Sequence, residues 1–70
     1  MEGQVKWFND NLGYGFIRPD GGGDDVYVHF SQIEGEHKSL SEGEPVAFEL
    51  TPGEKGPQAA HVRKFSALQH

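Results

Sequence analysis

At 70 residues and 7.7 kDa the chain has room for one small core, with about 40% of the unfolded chain's surface left exposed after folding. It has no cysteine to form a disulfide or a thiolate zinc site, and no apolar run near the length of a membrane span, so a cytoplasmic protein with no membrane partner is expected. Six Lys and Arg against eleven Asp and Glu give a net charge of -5, which argues against a protein held on nucleic acid mainly by its electrostatic field.

Ten glycines and four prolines are spread so that almost every stretch between them is shorter than a typical helix of about 11–12 residues. Many short elements joined by tight turns predict an all-β barrel or sandwich. No repeat or linker divides the chain, so one domain over 1–70 is expected. The first strand spans residues 4–9 and is closed by Asp10-Asn11-Leu12-Gly13, whose residue types favour a turn. The second spans 14–18 and stops at Pro19, which cannot donate to a ladder. A flexible loop over 20–24 leads to a third strand at 26–29, and residues 30–33 suit one short helical turn. A polar loop over 34–43 precedes a fourth strand at 46–51 and a turn at 52–57.

The last segment reads two ways. Ala59, Val62, Phe65 and Leu68 recur at spacing three, which fits a helix. A strand over 58–64 with a frayed tail at 65–70 is preferred, because an isolated short helix is marginal and a barrel needs closing.

Six of the eight aromatic residues lie in the first thirty positions: Trp7, Phe8, Tyr14, Phe16, Tyr27 and Phe30. Alternate residues of a strand share a face. Tyr14 and Phe16 therefore point away from Gly13, Gly15 and Ile17, and Tyr27 and His29 away from Val26, Val28 and Phe30. If the aliphatic face forms the core, the ring face looks outward, at a cost in solubility unless it binds something. The competing expectation is that the rings themselves are the core. Against it stand His29 in the ring row and two glycines behind it. A row of flat π-faces suits single-stranded nucleic acid, at about 1–3 kcal/mol per stacked base, a source of free energy that does not depend on net charge.

Lys6-Trp7-Phe8-Asn9, Gly13-Tyr14-Gly15-Phe16-Ile17, Asp25-Val26-Tyr27-Val28-His29-Phe30-Ser31 and Gly56-Pro57-Gln58-Ala59-Ala60, in that order, closely resemble the bacterial cold-shock protein family. The second block resembles its RNP1 motif and the third its RNP2. The resemblance implies a five-stranded antiparallel Greek-key barrel of the OB type that binds single-stranded RNA or DNA on one face, and a role as an RNA chaperone or transcription antiterminator. By similarity Trp7, Tyr14, Phe16, Tyr27, His29 and Phe30 would stack on bases, with Phe8 in the same patch. Lys6, Asn9, Asp25, Lys38 and Lys55 match positions that offer polar contacts. Alternation cannot place Lys6 and Trp7 on one face, so this reading needs a bulge in the first strand.

The chain departs from the family where Leu12 stands in place of a usual lysine, and the resemblance implies that one phosphate contact is missing. The loop around Lys38 is one residue shorter than the family's, where either His37 stands in weakly for a usual aromatic or the site loses a base position. A monomer without cofactor is expected. No oxyanion loop surrounds His29, Ser31 and Asp25, so no enzyme is expected, and the four histidines lack metal-ligand spacing. The rival function is a peptide-binding barrel that uses the aromatic groove and acidic flanks to hold basic, proline-rich segments.

Overall fold

A computed structural model describes residues 1–36, 38–54 and 56–64. It contains β1 (Glu2–Asn9), β2 (Tyr14–Pro19), β3 (Val26–His29), a 3-10 turn (Phe30–Gln32), β4 (Pro45–Gly53) and β5 (Gly56–Lys64). The strands close into a barrel in the order β1-β2-β3-β5-β4. The β1/β2, β2/β3, β1/β4 and β4/β5 ladders are antiparallel, whereas β3 meets β5 through a parallel pairing of Tyr27 with Gln58. The fold is therefore all-β and five-stranded as expected, with a parallel seam that the antiparallel expectation lacked.

The strands run longer than the turn residues suggest. β1 begins at Glu2, and the ladder continues outward as Met1 and Phe48 exchange backbone hydrogen bonds of 2.8 and 2.9 Å. The expected turn over 52–57 narrows, because Pro52 lies opposite Pro57 and Gly53 opposite Gly56. Two prolines can share a rung that exchanges no hydrogen bonds, where neither needs an N–H.

The core is aliphatic. Val5, Ile17, Val26, Val28, Ile33, Val46, Ala59 and Val62 are buried, joined by Leu40 and by Phe48, the one buried aromatic ring among the described residues. The expectation of an aromatic core is thus overturned. Leu40 also shows that the loop after Ile33 is not polar throughout. Ile33 forms a parallel bridge to Val62, and the Glu34 N–H donates to the Val62 carbonyl at 2.8 Å.

Residues 58–64 form a strand, not a helix, and the spacing of three has a local cause. Between the Ala47/Arg63 and Glu49/Ala60 pairs, β4 contributes one residue and β5 contributes two, so β5 carries a bulge. His61 takes a φ of 51°, and the extra residue turns both Ala59 and Val62 inward. Phe65, Leu68 and the rest of the expected tail at 65–70 lie outside the described residues.

Candidate nucleic-acid interface

The register of β1, β2 and β3 builds the ring face. Trp7 pairs with Phe16, Phe16 with Tyr27, and Tyr14 with His29. Val5 faces Ile17 but Trp7 faces Phe16, so Lys6 is an extra residue on β1. This is the bulge that the Lys6 and Trp7 pairing requires: it leaves Lys6 exposed and rotates Trp7 from the core side to the ring side.

Four half-buried rings form a closed cycle of neighbours. Trp7 lies 5.7 Å from Tyr14 and 5.5 Å from Phe16, and Tyr27 lies 5.6 Å from Tyr14 and 6.0 Å from Phe16. The pairs are tilted or edge-on, the arrangements that aromatic quadrupoles favour. Their mutual support holds the rings over the sheet while each remains partly exposed. His29 and Phe30 make a second group, 4.5 Å apart.

Phe30 departs from the alternation that grouped it with Val26 and Val28. The extended backbone ends at His29, and Phe30 opens the 3-10 turn with its side chain exposed. Phe8 departs in the other direction. It pairs with Gly15 and packs against the core, apart from the ring cycle. A Cβ on Gly15 would meet the Trp7 carbonyl and lie 2.7 Å from the Phe8 Cα, so the bare position behind Tyr14 and Phe16 is where β1 presses against β2.

The polar residues have partners of their own. The Lys6 ammonium donates to Asp25 Oδ2 at 2.7 Å, joining two of the residues that the resemblance selects. Asn9 organises the following turn: its Oδ1 accepts the Leu12 N–H at 2.9 Å and its carbonyl accepts the Gly13 N–H at 2.8 Å. Lys38 donates to the Ile33 carbonyl. Lys55 and His37 lie outside the described residues. The Ser31 N–H donates to His29 Nδ1 at 3.2 Å, and the Ser31 hydroxyl lies 2.8 Å from the same nitrogen. A backbone N–H can only donate, so Nδ1 accepts and the neutral imidazole carries its proton on Nε2. Asp25, which a hydrolytic reading would place behind His29, is engaged with Lys6 instead.

Gln58 and Ala60 line a groove with Tyr27 and His29. They stood in the fourth matching block, yet their place beside the rings depends on the parallel seam between β3 and β5, which no local pattern reveals. Ser31 supports His29 from two residues further on, at the start of a helical turn, a position that is a usable sequence signal for a cap.

The sequence profile of the 'Cold-shock' DNA-binding domain matches residues 1–65. The chain belongs to the cold-shock domain family. Among similar proteins, cold shock protein CspD of Bacillus subtilis (strain 168) is 57% identical over 66 residues, covering 93% of this chain and 98% of the relative. Cold shock protein CspB of Geobacillus stearothermophilus is 59% identical with the same coverage. A cold shock-like protein of Thermotoga maritima is 59% identical over 64 residues, 90% of this chain and 96% of its own. In fold, the barrel resembles a chain of drosophila Unr CSD456, with a TM-score of 0.74 and 19% identity over 90% of this chain, which spans a quarter of that longer one. The family is one of nucleic-acid-binding domains, and no helix among the described residues is long and apolar enough to cross a membrane.

Proposed function

We propose that this cold-shock domain binds single-stranded RNA and DNA as a monomer, by stacking successive bases on Trp7, Tyr14, Phe16, Tyr27, His29 and Phe30. The observation that carries the reading is the closed cycle of four half-buried rings lying over an aliphatic core that does not need them. About six or seven nucleotides would cross the face, with a mild preference for pyrimidine-rich strands, which unstack readily from themselves. By mass action, capture of the unpaired form shifts a hairpin toward open with no cofactor and no hydrolysis. This is the basis for an RNA chaperone, and for antitermination where a hairpin halts transcription.

Charge contributes little in this reading. Lys6 is paired with Asp25, and a slope of log affinity against log salt near -2 is expected if Lys6, Lys38 and Lys55 each displace one counterion at about 0.7 apiece. A slope steeper than about -4 would bring Arg18, Arg63 or Lys64 to the strand.

The single tryptophan supplies the test. Heptathymidine should quench Trp7 fluorescence strongly, and the quenching should survive moderate salt. Phe16→Ala should weaken binding by about 1–3 kcal/mol and leave the salt slope unchanged. A folded protein whose Trp7 responds to neither heptathymidine nor heptaadenosine at micromolar concentration rules the reading out, and directs attention to basic, proline-rich peptides.

A further inference from the structure

Leu12 and Phe30 are two of four large apolar side chains that stand exposed among the described residues, at 60% and 45%. They line one groove at the end of the ring face, together with Asp10, Glu36 and Lys38. Its two sides are tied together. The Ser39 hydroxyl donates to Asp10 Oδ1 at 2.6 Å, and the Phe30 N–H donates to the Gly13 carbonyl at 2.9 Å. The Phe30 ring rests on Gly13, where an added Cβ would come within 2.9 Å of the ring. The lining therefore includes both a supported aromatic ring and an aliphatic side chain. The groove continues the ring face, since Phe30 lies 4.5 Å from His29.

Resting on the base-stacking reading, we infer that this groove takes one base of the same strand, and that Leu12 makes the position selective for a 5-methylpyrimidine. A flat base stacked on Phe30 turns its edge toward Leu12. The C5-methyl of thymine is the aliphatic group that a pyrimidine carries on that edge, and uracil lacks it. The Lys38 ammonium donates to the Ile33 carbonyl, and Asp10 and Glu36 line the same groove, so the selectivity rests on the apolar side chains and not on a phosphate contact. A lysine at position 12 would serve the backbone of any strand, whereas leucine offers nothing to a phosphate and something to a methyl group. The position thereby discriminates thymine, the base of DNA, from uracil at one step of an otherwise tolerant path.

The experiment compares heptathymidine with heptadeoxyuridine, two strands that differ only in the methyl groups. Other subsites can also feel those methyls, so the informative quantity is the change in the affinity ratio on mutation. Leu12→Asn should lower the ratio of thymidine to deoxyuridine affinity by about fourfold, the worth of burying one methyl group, and leave deoxyuridine affinity within about twofold of the original. A ratio that does not change, whether both affinities fall together or neither moves, overturns the inference while leaving stacking intact. Phe16→Ala, by contrast, should weaken both strands and keep their ratio. In the unaltered protein, a nuclear Overhauser contact should link the Leu12 methyl protons to a thymine methyl, and its absence in a saturated complex also overturns the inference. If neither heptamer quenches Trp7 of the folded protein, the stacking reading has failed and the selectivity falls with it.

Discussion

The bulge at Lys6 in β1 and the bulge at His61 in β5 each insert one residue into an antiparallel ladder, with opposite results. On β1 the extra residue turns an aromatic side chain out of the core, setting Trp7 beside Phe16. On β5 it turns an aliphatic side chain in, setting Val62 beside Ile33 and completing the core. The backbone solutions differ as well. His61 lies in the left-handed region at φ 51°, which no other non-glycine residue among those described enters. One bulge shapes the open face, and the other closes the barrel that holds that face in place.

The sharpest way to break this division is at Gly15, where β1 backbone occupies the space a side chain would need. Gly15→Ala would drive a methyl group into the Trp7 carbonyl and the Phe8 Cα, both backbone atoms of β1 that cannot step aside. A loss of about 3 kcal/mol is expected in chemical denaturation, within the range for overpacked sites. For a 70-residue chain with a margin of roughly 4–10 kcal/mol, that is a large fraction of the total. A Gly15→Ala protein of unchanged stability would mean that the strands are less tightly apposed than this geometry requires.

The same two bulges mark where the sequence could and could not be read. Period-two alternation correctly separated Ile17, Val26 and Val28 from Tyr14, Phe16 and Tyr27, because β2 and β3 pair without interruption. It failed at Phe30, where the extended backbone ends, and at Ala59 and Val62, whose spacing of three mimics a helix but records an inserted residue. The β1 bulge is legible only through the family resemblance, which places Lys6 and Trp7 on one face. Groove neighbours such as Gln58 were invisible, since strands far apart in sequence meet there through closure of the barrel. The ion pair of Lys6 with Asp25 was equally hidden. The resemblance marks both residues as contacts for the ligand, and nothing in their spacing indicates that they contact each other.

A smaller effect is expected at His61, where the left-handed conformation costs an L-residue roughly 1–2 kcal/mol. Glycine avoids that cost but loses about 0.5–1 kcal/mol through its greater freedom when unfolded. His61→Gly should therefore stabilise the barrel by about 0.5 kcal/mol in a denaturant titration, even after losing the exposed contact of its Nδ1 with Glu34 Oε2 at 3.2 Å. The comparison predicts no such gain from Lys6→Gly, whose backbone is not left-handed. If His61→Gly is clearly destabilising, the contacts of the imidazole outweigh its backbone strain, and the β5 bulge is held by its side chain.

Lys6 itself asks the most specific question about the face. The Lys6 and Asp25 side chains are 44% and 32% exposed, so their pair contributes at most about 1 kcal/mol and both single mutants should remain folded. Two roles for Lys6 make different predictions for the salt slope. If the ammonium leaves Asp25 for a phosphate when a strand arrives, Lys6→Ala should flatten the slope by about 0.7. If it stays on Asp25, the slope should not move, because no counterion was displaced by Lys6. The double mutant Lys6→Ala, Asp25→Asn separates these cases, since it removes the pair without altering net charge. Restored affinity with a flattened slope would show that the lysine works on the phosphate while Asp25 only opposes it. Restored affinity with the original slope would show that the lysine serves to mask an acid on the face. We expect the first outcome, because the bulge leaves Lys6 exposed beside Trp7, within reach of a backbone whose bases occupy the rings.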